Sequence, residues 1–226
     1  MLVKGSIRTL MESTLRHSRL ILLLFVAYSL IVGAIVLLAA CCEPSDLLKG
    51  LLYIGTGLIS LFTLLYVQGR SGIPFPFLSK MPIPRFLAVT LGTISVVVAM
   101  EYVVSPIFQI SYPSINNYAD STEFIATILA ASFVAITEES AKVTLTNILA
   151  WHFRDAGPRK KRWSVIIAGI VSVVIWSSSH IIGAGYSTVE ALVIFLGGLV
   201  LFYVTYRFQN YLPAIVTHMI WDTFFH

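Results

Sequence analysis

Residues 124–151 read FIATILAASFVAITEESAKVTLTNILAW, and this stretch decides the fold. Apart from a central group of ionisable residues, it is apolar throughout. An apolar run of about 20 residues is long enough to cross the hydrocarbon core of a bilayer as a helix. The stretch therefore predicts a transmembrane helix that carries Glu138, Glu139 and Lys142 near its middle.

The composition of the whole chain agrees with a membrane protein. Hydrophobic residues make up 57% of the 226 positions, charged residues 12%, and the mean hydropathy is +0.86. In soluble domains, apolar residues and glycine together make up only about half of the chain. This composition excludes an ordinary soluble enzyme, a disordered chain and a disulfide scaffold. The net charge of +4 does not predict a nucleic-acid partner, because the basic residues lie between the apolar runs.

Six other apolar runs are candidate spans, the last of them short: residues 20–40, 47–67, 86–108, 163–182, 188–206 and 211–225. We therefore expect an all-α protein, a polytopic transmembrane helix bundle of about seven spans. Residues 1–19 form a basic, amphipathic cytoplasmic segment in this interpretation, and residues 20–226 form a single transmembrane domain with its catalytic half at about 124–226. Processing at Cys41, as in a lipoprotein, would leave six spans, but the long run before it favours a retained helix.

The orientation follows from the distribution of basic residues. Cytoplasmic loops of membrane proteins carry an excess of Lys and Arg. Nearly all of the 15 Lys and Arg residues fall on one side of the predicted spans, the side of the N-terminus. We expect an integral protein of the cell (plasma) membrane, surrounded by the lipid bilayer, with its N-terminus inside.

The ionisable residues within the spans need an explanation. A charged side chain at the centre of a transmembrane helix costs about 2.5–3.5 kcal/mol on insertion scales. Lys142 lies four residues after Glu138 and three after Glu139, so it can pair with either carboxylate. One carboxylate can be held by the lysine while the other stays free for chemistry. The spacing leaves open which one is free.

Two later spans add further polar groups. His180 lies at the end of one span, four residues after Trp176, and His218 lies four residues before Asp222 on one helix face. Together with the two glutamates, these residues predict a buried site that activates water or binds a metal. Counting residues from the predicted span ends places the groups at different depths. Their convergence requires tilted helices or a last span that begins deeper in the membrane.

The order of these residues resembles the CPBP group of intramembrane proteases, which includes type II CAAX prenyl proteases and bacteriocin-processing enzymes. That group carries EExxxR, then FxxxH, then HxxxN or HxxxD. The corresponding positions here are Glu138-Glu139, Trp176 with His180, and His218 with Asp222.

The chain departs from the pattern at one position. Val143 stands where the arginine is expected, and the basic residue is Lys142 instead. The resulting EExxK, with HxxxD, is similar to PrsW-type proteases, although their middle motif is acidic. The sequence therefore combines features of both groups and is closer to CPBP in its second half.

The resemblance implies an intramembrane endopeptidase whose substrate is a membrane-embedded or membrane-proximal protein or peptide. It implies that Glu138 and His180 activate the water, and that His218 and Asp222 bind the oxyanion or orient the water. Glu139 and Lys142 would shape the site. The cofactor stays open: if a divalent metal such as Zn is used, its ligands would be Glu138, His180 and His218.

Two other classes of function remain. A non-catalytic membrane scaffold or immunity protein could use the same fold, because a fold alone does not determine function. A proton- or ion-coupled transporter could use buried carboxylates and histidines as a proton relay. The chain shows no internal repeat of the kind that many transporters have.

Overall fold

The computed structural model describes residues 78–108, 121–152, 158–183 and 186–225, together with single positions between 55 and 62. The predicted segment 1–19 and the first two predicted spans lie outside these residues, apart from those single positions. The count of about seven spans and the inside location of the N-terminus therefore stay predictions.

The described part of the chain contains five helices and no strand. They are α1 (Ile83–Phe108), α2 (Ser121–His152), α3 (Pro158–Gly183), α4 (Thr188–Phe208) and α5 (Leu212–Phe225). The all-α class is confirmed for these residues. The first four helices are long and apolar enough to cross a membrane, whereas α5 has only 14 residues. A perpendicular crossing needs about 20.

Local sequence signals explain where several helices begin. Helix α3 begins at Pro158, five residues before the predicted span, because proline is favoured in the first turn, where its missing N–H is not needed. Before α4, the backbone N–H of Glu190 donates to Ser187 Oγ, and the Glu190 carboxylate accepts from the Ser187 backbone N–H. This reciprocal capping box fixes the residue at which α4 begins.

The helices pack with small or polar side chains inside and large apolar side chains outside. Helix α2 packs against α3 and α5, while α4 contacts α1, α3 and α5. Buried positions include Ala135, Ala168 and Ala214. Small residues allow helix backbones to approach closely where lipid covers the outer surface. The large exposed apolar residues include Leu87, Leu91, Ile167, Val174 and Tyr203.

The turn between α4 and α5 lies in the interior of the protein. Asn210 and Tyr211 are both buried. The segment before α1 covers the turn: Ser79 N–H donates to the carbonyl of Gln209 at 2.9 Å, and Asn210 Nδ2 donates to the carbonyl of Ser79 at 2.8 Å. Asn210 Oδ1 also accepts from Leu212 N–H at 2.9 Å and so caps α5. Helix α5 therefore begins at a turn that is buried within the protein.

Candidate active site

Glu139 is the carboxylate that is held in place. Its side chain is fully enclosed, and Oε1 accepts hydrogen bonds from Lys142 Nζ at 2.5 Å and from His218 Nδ1 at 2.8 Å. An ionised carboxylate can only accept, so Nδ1 of His218 carries the hydrogen and Nε2 points to the opposite side. The contact joins α2 to α5. Of the two pairings that the spacing allowed, the structure therefore has Lys142 with Glu139.

Glu138 lies between the two imidazole rings. Its Oε2 accepts a hydrogen bond from Trp176 Nε1 at 2.7 Å and lies 3.6 Å from Nε2 of His218. Its Oε1 lies 3.9 Å from Nε2 of His180. The side chain is 24% exposed, against 3% for Glu139. Both distances to the histidines exceed those of direct hydrogen bonds, so the carboxylate lies beside the two rings without bonding to either of them.

His180 is oriented by its own helix. Its Nδ1 lies 3.0 Å from the carbonyl oxygen of Trp176, one turn earlier in α3. A carbonyl oxygen only accepts, so Nδ1 is the donor. Nε2 of the neutral ring then carries the lone pair on the side of Glu138. The rings of Trp176 and His180 meet edge to face, with centroids 4.9 Å apart.

Asp222 completes the group from the end of α5. Its Oδ2 lies 3.5 Å from Nε2 of His218, one helical turn away. Nε2 of His218 therefore faces two carboxylates, Glu138 and Asp222. The five residues predicted as catalytic thus lie in one connected group, formed by α2, α3 and α5.

The two predicted supporting residues also contact this group. Lys142 Nζ lies 3.6 Å from the centroid of the Trp176 ring, a cation–π arrangement. The backbone carbonyl of Lys142 accepts a hydrogen bond from Ser172 Oγ at 2.8 Å, which ties α2 to α3. Val143, which stands at the position of the expected arginine, is buried in the apolar core. The basic group that reaches the site is therefore Lys142.

Sequence reasoning missed Tyr186. Its ring lies parallel to the ring of His180, with centroids 5.9 Å apart and planes 7° apart. The residue lies outside every motif, and only its place just after the helix whose last turn contains His180 could have drawn attention to it. Glu101, a further acidic residue within the predicted span 86–108, lies on α1 and forms no hydrogen bond or ion pair with the five site residues in the described part of the chain.

We also tested whether the site residues fit a metal ion. In residues 78–108, 121–152, 158–183 and 186–225, no group of three or more His, Cys, Asp or Glu side chains is arranged to hold one. The predicted set of Glu138, His180 and His218 gains no support as a metal site from this geometry.

The fold and the site together define a class of protein: an integral membrane helical protein with a partly buried group of carboxylates and histidines. The family model for the type II CAAX prenyl endopeptidase Rce1-like family matches residues 120–224. This part of the chain is therefore similar to an Rce1-like domain of the CPBP group, which its motifs also indicate. Rce1-like proteins are intramembrane proteases. The likeness to PrsW-type proteases stays a prediction. Comparison with curated proteins found no match, and comparison with solved structures found none.

Proposed function

We propose that the protein is an intramembrane endopeptidase that hydrolyses peptide bonds within or next to the bilayer. The observation that carries this proposal is the position of Glu138 between Nε2 of His180 and Nε2 of His218. Both rings are fixed through Nδ1, by a carbonyl in one case and by Glu139 in the other. Preorganised groups of this kind need little reorganisation during reaction.

In the proposed mechanism, a water molecule binds beside Glu138 Oε1 and Nε2 of His180. Glu138 takes a proton from this water while the oxygen attacks the peptide carbonyl carbon. General-base catalysis of this kind contributes about 10²–10⁴-fold. The tetrahedral intermediate then collapses: the C–N bond breaks, and Glu138 returns the proton to the leaving nitrogen. A carboxylic acid and an amine are the products, and Glu138 is again ionised.

His218 and Asp222 act on the other side of the reacting carbonyl. In the imidazolium form, with a hydrogen on each ring nitrogen, His218 can donate Nε2–H to the oxyanion as negative charge develops, and the carboxylates of Asp222 and Glu138 lie beside that nitrogen. Glu139 and Lys142 do not react. Their ion pair fixes the ring of His218 through Nδ1.

The substrate that fits this location is a protein or peptide embedded in the membrane or lying next to it. Glu138, Glu139 and His180 belong to helices that are long and apolar enough to cross a bilayer, so a peptide bond must approach within or beside that layer. We place the protein in the cell membrane, with lipid as its surroundings and no nucleic-acid partner.

The test is cleavage of a labelled peptide library by the purified wild-type protein and by the Glu138→Ala variant, each with and without a chelator. We expect cleavage by the wild type and loss of at least 100-fold in the variant, the lower end of the effect of a general base. The matched control is Glu123→Gln, an exposed carboxylate at the start of α2. The chelator arms decide whether a metal takes part.

Full activity of Glu138→Ala would reject the proposed mechanism. Ion-dependent uptake by wild-type proteoliposomes without any cleavage would favour a transporter instead. Absence of both activities would favour a non-catalytic scaffold or immunity protein. Neither alternative is favoured by the family match.

A further inference from the structure

Tyr186 lies between α3 and α4, and both the end of α3 and the start of α4 are capped by hydrogen bonds here. Its backbone N–H donates to the carbonyl of His180 at 3.2 Å. That carbonyl is one of the last four of α3, which have no partner within the helix. The next residue, Ser187, is the N-cap of α4. The backbone of Tyr186 is thus fixed from both sides, and its side chain has a defined direction.

That direction places the phenol ring against His180. The two rings are parallel, while Trp176 meets the same imidazole with its edge. His180 is therefore held by three contacts: the Trp176 carbonyl at Nδ1, the indole ring, and the phenol ring. The first contact fixes one atom, and the two rings restrict rotation of the imidazole about its side-chain bonds.

The surroundings of the Tyr186 hydroxyl group favour its protonated, neutral form. Burial raises the pKa of Tyr186 above its ordinary value, and the negative charges of Asp222, Glu190 and Glu138 raise it further. The phenol therefore stays neutral near pH 7. An ionised phenolate would compete with Glu138 for the proton of the water, and a neutral ring does not.

We propose that Tyr186 is a positioning residue of the active site, whose ring holds His180 so that Nε2 faces Glu138. This inference rests on the proposed peptidase function and deepens it. The role belongs to the aromatic ring rather than to the hydroxyl group. Ser187 contributes indirectly, because its capping box with Glu190 fixes the chain next to Tyr186.

The first experiment compares peptide cleavage by Tyr186→Phe and Tyr186→Leu. Phenylalanine keeps the stacked ring, so we expect kcat and KM within about twofold of the wild type. Leucine removes it, and we expect kcat to fall about 10–100-fold with KM within about twofold, since a small misplacement of a reacting group has effects of this size. The matched control is Tyr203→Leu, which alters a tyrosine that is 61% exposed on α4.

The second experiment measures the ring contact without relying on activity. Diethyl pyrocarbonate reacts with unprotonated imidazole nitrogen, and mass spectrometry of peptides gives the rate for each histidine. We expect His180 to react at the wild-type rate in Tyr186→Phe and several-fold faster in Tyr186→Leu. Buried His218 is the internal reference and should keep its rate in all variants.

Three results would overturn the inference. One is a wild-type kcat in Tyr186→Leu, and another is an equal loss of kcat in Tyr186→Phe, which would assign the role to the hydroxyl group. The third is an unchanged reaction rate of His180 in Tyr186→Leu. If the wild-type protein cleaves no peptide, the proposed function fails separately, and the reaction rate of His180 alone decides whether Tyr186 holds the ring.

Discussion

His218 and Glu139 are 79 residues apart in the sequence, and Nδ1 of His218 donates a hydrogen bond to Oε1 of Glu139 at 2.8 Å. The same oxygen accepts from Lys142. One carboxylate therefore sets both the orientation of the histidine ring and the position of the ammonium group. The neighbouring carboxylate, Glu138, is not held by the lysine and faces Nε2 of both histidines.

The ion pair between Lys142 and Glu139 predicts how substitutions of these residues change the free energy of unfolding. Lys142→Met leaves the buried charge of Glu139 without its cation, and we expect the free energy of unfolding to fall by about 3–5 kcal/mol. Adding Glu139→Gln removes that charge as well, so the double variant should recover at least half of the loss. The measurement is an unfolding titration in mixed detergent micelles, with exposed Lys80→Met as the control. A double variant less stable than Lys142→Met would contradict this assignment.

Trp176→Phe tests the hydrogen bond to Glu138 separately from the ring. Phenylalanine keeps an aromatic face for Lys142 but has no N–H to donate to Oε2. Hydrogen bonds to charged groups contribute about 1.5–3 kcal/mol, so we expect kcat to fall about 10–100-fold. Steady-state cleavage kinetics give the answer, and Trp163→Phe, at a position that is 63% exposed, is the matched control. An unchanged kcat in Trp176→Phe would show that the N–H does not position Glu138.

Two neighbouring glycines on α4 should respond in opposite ways to alanine. A Cβ at Gly198 would lie 2.7 Å from the Trp176 ring and 2.8 Å from Val173, whereas a Cβ at Gly197 would meet only Met100 at 3.8 Å. We expect Gly198→Ala to lower the free energy of unfolding by about 1–3 kcal/mol through overpacking, and to reduce cleavage by displacing the indole.

Gly197→Ala is the matched control for that experiment. It should leave cleavage unchanged and stabilise the helix by about 0.5–1 kcal/mol, because alanine loses less backbone freedom than glycine on folding. Both quantities come from the same unfolding titration and cleavage assay. If the two substitutions changed cleavage and the free energy of unfolding equally, Gly198 would not pack closely against Trp176.

The hydrogen bonds of the buried turn before α5 predict that Asn210→Ala lowers the free energy of unfolding. This change removes the hydrogen bond to the Ser79 carbonyl and the cap on Leu212 N–H. We expect a loss of about 1–2 kcal/mol in the free energy of unfolding. Gln209→Gly is the control: Gln209 has φ of 52°, a value that glycine adopts without strain, so stability should not fall. A loss in the glycine variant as large as that in Asn210→Ala would contradict this account of the turn.

The sequence predicted several features of the fold and site directly. Runs of apolar residues predicted the helices of the described part, since each crossing must satisfy its backbone hydrogen bonds within one segment. The same reasoning singled out every charged residue within those runs as costly. Glu138, Glu139, His180, His218 and Asp222 were found in this way, and their order indicated the family that the comparison then confirmed.

Only the tertiary structure decided how these residues are divided between roles. Lys142 lies within reach of both glutamates on α2, and the choice of Glu139 depends on His218, which α5 brings to the same oxygen. Tyr186 contacts His180 because its backbone N–H donates to the His180 carbonyl at the end of α3, a contact that no spacing within a helix encodes. Helical periodicity determines which residues share a face, whereas contacts between segments depend on the depth and direction at which helices pack, and those are properties of the whole bundle.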